Sequence, residues 1–243
     1  RICGDIDSVP DPTFIGRKLN DIFFHRNRLG FLADENVIMS RSGEFFEFFP
    51  ETITQVLDTS PIDVASTHTK VSILRHAISF DEDQTQFVLS GGATLTSDNI
   101  SINVTTEFET DRTIKPVGAG SNVYFGFNKG NFTGVRELFI ASDTDTKQAD
   151  DITANVPKYI PTNVFKLSSA TNENIIVALS TDEDNALYVY QYYVSERRRL
   201  QSAWSKYTFG TASSDKILNI DFIENELFLI NERSDGVYLE KIN

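Results

Sequence analysis

One cysteine, one methionine and one tryptophan are all that the 243 residues contain of these types. With Cys3 alone, an intrachain disulfide framework is excluded. No run approaches the roughly 18 apolar residues that a membrane-crossing helix needs, and no signal-peptide pattern opens the chain. Arg1 stands where a Met would begin a complete protein, so the chain reads as an internal stretch of something longer. Positive charge is scarce as well. Twenty-two Lys and Arg face 35 Asp and Glu, for a net charge of -13. Such a surface repels phosphate backbones unless a basic stripe overcomes the field, and no stripe is present. An acidic wall does suit a channel through which a polyanion must slide without sticking.

What is abundant is phenylalanine, with 19 copies in a chain that is 40% hydrophobic and 12% aromatic. That is enough apolar material for a sizeable core, which argues against disorder. Long Ala/Leu/Glu/Lys runs are missing, and the balance favours strands. Size and composition fit one all-β domain over 1–243, led by an extended segment over 1–19 that carries Pro10, Pro12 and Gly16.

Short alternating or apolar runs recur between Gly, Asn, Asp and Ser, the pattern of antiparallel strands joined by tight turns. A first meander is predicted from Ile22–Arg26, Leu29–Leu32, Val37–Ser40 and Glu44–Phe49. A long proline-bearing connection follows to Thr67. A second group runs through Val71–Leu74, Gln86–Leu89 and Ile100–Phe108. A third pairs Asn122–Phe127 with Gly134–Ile140 across Asn128-Lys129-Gly130, before a polar loop over Ser142–Ala149. Pro157 and Pro161 bracket a stiff crossing segment, and strands resume at Val164. The last third offers Ile175–Ser180, Leu187–Tyr193, Trp204–Phe209 after a basic turn at Arg197–Arg199, Ile217–Ile223, Glu226–Asn231 and Val237–Ile242. Groups every 40–50 residues match the repeat of a β-propeller of about four to six blades, whose radial repetition leaves only short edges. A pair of β-sandwiches is the alternative.

Chemical motifs are few. His25, His68 and His76 lack ligand partners at metal spacing. The acidic runs Asp81-Glu82-Asp83 and Asp182-Glu183-Asp184-Asn185 read as solvated turns, since the EF-hand spacing is absent. Gly118-Ala119-Gly120 leads into a strand, the wrong context for a phosphate-cradling helix, and no Gly-x-Ser-x-Gly elbow or Walker loop occurs. The sequons at Asn99, Asn103 and Asn131 are chance matches in a chain rich in Asn and Thr. Arg197, Arg198 and Arg199 read as a solvated tip, with a subunit contact as the alternative. No catalytic, cofactor-binding or metal-binding residue is assigned.

A set of segments in fixed order carries a family likeness. It begins with "IFFHRNRLGFL" from Ile22, "SRSGEFFEFFP" from Ser40, "SPIDVAS" from Ser60 and "TQFVLSGGATLT" from Thr85. It continues through "VTTEF" from Val104, "NVYF" from Asn122, "DITANVPKYIP" from Asp151, "QSAWSKYTFG" from Gln201 and "DGVYLEKIN" at the end. In these the chain resembles the tail tubular protein B family, the nozzle proteins of short-tailed phages, over nearly its whole length. One departure is that relatives carry an extra apolar strand between the counterparts of Phe80 and Gln84.

The resemblance implies a structural virion protein in the phage tail, made in the host cytoplasm, and not an enzyme. It implies a β-propeller in a homo-hexameric ring around the DNA ejection channel. The ring would lie below an adaptor or gatekeeper protein and contact tail fibres, with double-stranded DNA passing non-specifically. In that setting Phe23, Phe31, Phe46 and Tyr124 pack between blades, and the candidate subunit or channel contacts are Pro61, Ile62, Asp63, Pro157, Tyr159, Arg197, Arg198 and Arg199. A carbohydrate-binding or glycan-hydrolysing tail propeller is the rival reading, on fold analogy alone.

Overall fold

The computed structural model describes residues 3–66, 73–78, 100, 108–140, 147–195, 198–210 and 215–242. Every regular element among them is a strand, and all strand pairs are antiparallel. No helix there is long and apolar enough to cross a membrane. The chain divides into two compact units, Arg1–Glu107 and Phe108–Asn243.

The first unit contains one four-stranded meander, β1 (Leu19–His25), β2 (Arg28–Ala33), β3 (Asn36–Met39) and β4 (Ile62–Ala65), in that spatial order. The β1–β2 turn places Arg26 and Asn27 at φ 45° and 58°, two consecutive left-handed residues. That is the two-residue hairpin turn whose twist matches the strands it joins. Phe23 lies directly across from Gly30, and a Cβ at Gly30 would sit 2.3 Å from the Phe23 ring. The glycine is there to let the ring lie flat on the partner strand. Leu32, Val37, Met39, Ile62 and Ile100 form the buried core, with Phe23 and Leu74 packed against it.

The expected strand at Glu44–Phe49 is not one; the fourth strand is Ile62–Ala65, inside the segment read as a connection. Gly43 at φ 79° turns the chain, and short backbone bonds then fold it on itself, Glu44 N to Arg41 O at 3.2 Å and Glu47 N to Glu44 O at 3.1 Å. The phenylalanines act as clips instead of strand residues. Phe48 meets Phe14 and Phe31 at 5.1 and 5.3 Å between ring centroids, and Phe45 meets Phe24 at 4.9 Å. Phe46 is 87% exposed, which corrects its expected packing role. Of the second predicted group, Ile73, Leu74, Ile100 and Phe108 are placed without strand structure, and the remainder, with Asp81-Glu82-Asp83 and the departure near Phe80, lies outside the described residues.

The second unit contains three meanders. The first is β5 (Val117–Ala119), β6 (Asn122–Lys129), β7 (Phe132–Ile140) and β8 (Lys147–Asp151). The second is β9 (Val164–Ala170), β10 (Ile175–Ser180), β11 (Ala186–Ser195) and β12 (Arg198–Thr208), and the third is β13 (Lys216–Ile223), β14 (Glu226–Arg233) and β15 (Gly236–Ile242). The expected loop over Ser142–Ala149 therefore ends in a strand at Lys147, because β8 pairs with the outer half of β7. Arg198 and Arg199 open β12 and are not part of the turn.

The middle of the β9–β12 sheet, β10 and the first half of β11, is buried on both faces, while β12 is largely exposed. Ile176, Ala178, Tyr188 and Tyr190 join Ile114, Tyr124 and Val135 in one core, while Val177, Leu179, Leu187 and Val189 join Ile217, Ile220 and Leu229 in another. Alternation along a strand sends neighbours to opposite sides, so β10 reads as an unbroken apolar run because each side has its own neighbouring sheet. Each Val, Leu or Ile side chain among them contributes about 1.5–3 kcal/mol on burial.

Candidate functional site

The first unit carries a groove of about 630 Å³. One wall is the lead-in, Ser8 to Thr13, and the other is the connection from Pro50 to Val56, with Ile38 and Ile62 beneath. Four of the chain's seven prolines, Pro10, Pro12, Pro50 and Pro61, line it. Proline fixes φ near -65° and has no N–H, so these walls are stiff and the four prolines bring no backbone donor to them.

Asp63 ties the lead-in to the sheet. Its Oδ2 accepts from the Thr13 backbone N–H at 2.8 Å, and its Oδ1 accepts from the Thr13 hydroxyl at 2.7 Å and from Asn36 Nδ2 at 3.0 Å. Behind it, Arg28 holds the approach to β4. The residue is only 2% exposed, and its guanidinium donates to the carbonyls of Ser40 (2.7 Å), Ser60 (2.7 Å) and Asp58 (2.6 Å). Burial pushes the Arg28 pKa down, yet an arginine stays charged at any physiological pH. The carbonyl cage takes the place of water.

Of the sequence-derived candidates here, Pro61 and Asp63 edge the groove, while Ile62 is completely buried. The Ile62 side chain therefore belongs to the core and is corrected as a contact residue. It alternates with Asp63 along β4, and the sheet points it inward.

In the second unit, Arg199 reaches from β12 to Glu137 on β7. Glu137 has a side chain only 4% exposed, and its Oε1 accepts from Asn122 Nδ2 (2.6 Å), from the Tyr124 hydroxyl (2.6 Å) and from Arg199 Nη2. The Arg199 guanidinium also lies 5.4 Å from the Tyr192 ring centroid. Burial first, then the Glu137 charge and hydrogen bond, drives the Tyr124 pKa well above that of a free phenol. Burial opposes the charge on Arg199, but the hydrogen bond and field of Glu137 outweigh it and move its pKa up. The group is a closed polar clamp between two sheets, with no spare acid or base for chemistry.

Pro157 is exposed, and Tyr159 is half-buried with its ring edge-on to Tyr188 at 5.6 Å. Their segment is pinned at its ends, Trp204 Nε1 donating to Ile152 O at 3.0 Å and Thr133 N to Ile160 O at 3.0 Å. Arg197 lies outside the described residues, and Arg198 is placed by its strand position alone. The acidic run at 182–184 disperses: Asp182 accepts from Thr162 and Asn163, Glu183 pairs with Lys206 at 2.5 Å, and Asp184 lies 3.7 Å from Lys216. Among the described residues no three His, Cys, Asp or Glu side chains converge in a way that would hold a metal ion.

The sequence profile of the bacteriophage nozzle protein family matches residues 1–243, the full chain. The chain belongs to that family. It is 37% identical over 249 aligned residues to the tail tubular protein gp12 of Escherichia phage T7, covering 99% of this chain and 31% of that protein. This nozzle-family chain thus spans about a third of the length of the curated relative it matches. Glu137 and Arg28 escaped the sequence reading. The available signal was the position of Glu137 two residues after Val135, on the face that Val135 commits to the core.

Proposed function

We propose that this chain is a structural part of the nozzle at the end of a short phage tail, located in the virion, and is not an enzyme. The observation that carries the reading is the family match over every residue. In it the successive meanders are blades of one propeller-like body within a longer tail protein. Six copies ring the DNA ejection channel beneath an adaptor or gatekeeper, near the tail fibres.

Two features support the mechanical part of this reading. Consecutive up-and-down sheets pack face to face in the second unit, which is how propeller blades bury themselves. The net charge of -13 lets a DNA duplex pass without being held. Pro61, Asp63, Pro157, Tyr159 and the Arg197–Arg199 segment are the contact residues in this assembly, with the clamp on Glu137 stiffening the strand from which the arginines extend. The glycan-hydrolysing alternative draws no support from the family or the relative.

Electron microscopy of the full-length protein with its tail adaptor tests the assignment. A sixfold assembly is expected; a persistent monomer that cleaves glycans would replace it with the rival reading.

A further inference from the structure

We propose that the proline-walled groove of the first unit seats an extended, positively charged segment of another tail protein. This rests on the nozzle reading and supplies the chemistry of one of its contacts.

Charge is the first reason. The groove lining includes Asp11 and Asp63 and not one Lys or Arg, in a chain that is itself strongly acidic. A cationic occupant is drawn in and an anionic one is repelled. Hydrogen-bonding capacity points the same way. Four prolines add carbonyls but no N–H to the lining, with the Pro12 carbonyl already accepting from Ile15 N and the Pro50 carbonyl from Cys3 Sγ, and Asp63 Oδ2 accepts a single bond where an ionised carboxylate oxygen has room for two. An acceptor-rich cleft suits a donor-rich guest such as a backbone N–H row with Lys or Arg side chains.

Shape supplies the extended form. The lead-in wall is held by the Thr13–Asp63–Asn36 bonds before anything binds, so little of it is lost to ordering on association. Ile53 and Val56, 57% and 47% exposed, stand on one wall as apolar anchors. An extended guest alternates its side chains, sending apolar ones to such anchors and charged ones to the acidic rim. Other classes fit less well. A sugar wants an open aromatic face, and the groove's aromatic ring, Phe48, is already stacked on Phe31 and edge-on to Phe14. DNA meets no cation here.

The test places benzoylphenylalanine at Thr54 in the protein as assembled in the tail, with Asn172 as a second site outside the groove. After irradiation, a crosslink from Thr54 to a single Lys- or Arg-bearing peptide of another tail protein, absent from Asn172, is expected. Gln55→Lys should lower that crosslink about tenfold and Gln55→Glu should preserve it, each variant melting as the parent does. A crosslink to an acidic peptide or a glycan, no crosslink in intact tails, or equal yields from the two Gln55 variants overturns the inference and leaves the nozzle reading standing. If the protein is absent from purified tails, both fall.

Discussion

The two units solve the same problem with different means. In the first, a single described sheet has a modest core, and the chain around it is held by polar anchors: Arg28 inside a cage of carbonyls and Asp63 clasping Thr13 and Asn36. In the second, three sheets lie against one another and interdigitating Val, Leu, Ile and Tyr side chains do most of the holding. Its polar bonds join surfaces already in contact. The difference teaches where shape is adjustable. A loop hung on a few carbonyl bonds can present a groove, whereas a sheet covered on both sides presents only its rim and ends.

Removing Arg28 should break the comparison most strongly. Arg28→Met keeps the apolar stem and deletes the donors for three carbonyls, so the first unit should lose about 3–5 kcal/mol. Hydrogen exchange should accelerate over 57–65 while the β9–β12 amides keep their protection. Equal loss in both units would show that the polar anchors are not local.

Next in size is Glu137→Gln, which removes the buried anion that Arg199, itself partly exposed, reaches in to meet. A cost of about 2–3 kcal/mol is expected, and the Glu137/Arg199 double-mutant cycle should return a coupling above about 1 kcal/mol. A coupling near zero would mean that packing alone joins those two sheets.

The smallest effect concerns Asp151, whose pKa is lowered from 3.8. Burial opposes the shift, and the Lys129 hydrogen bond at 2.6 Å together with the Thr153 donors overcomes it. Since the folded-state pKa lies below the unfolded one, this stabilisation is fully present well above the unfolded value of 3.8 and is lost as the pH falls from there through the folded-state pKa. Asp151→Asn should therefore destabilise by about 1 kcal/mol at neutral pH and converge with the parent in strong acid, read by urea melts across that range.

Much of the second unit was legible. Apart from β8 and the start of β12, the strands from Asn122 to Ile242 sit where alternation and Asn, Asp or Gly turns put them, because both signals are local: Glu224 and Asn225 at φ 52° and 67° make the β13–β14 turn on their own. The first unit misled at Glu44–Phe49, where a Phe-rich run looked like a strand but its rings were needed against Phe14, Phe24 and Phe31. Its true fourth strand, Ile62–Ala65, is four residues long and gains its pairing from β3. The candidate contacts divided likewise. Pro61 was read from local stiffness, whereas the burial of Ile62 and the partner of Arg199, 62 positions away along the chain, are tertiary facts.

A sheet whose middle strands have no outside imposes an order on synthesis. As the ribosome releases β9–β12, Val177, Leu179, Leu187 and Val189 have no cover until β13–β15 follow. For that interval the nascent chain displays a greasy, strand-edged surface of the kind chaperones bind and neighbouring copies stick to. The exposure ends only when residues 216–242 have left the ribosome and can close over that face.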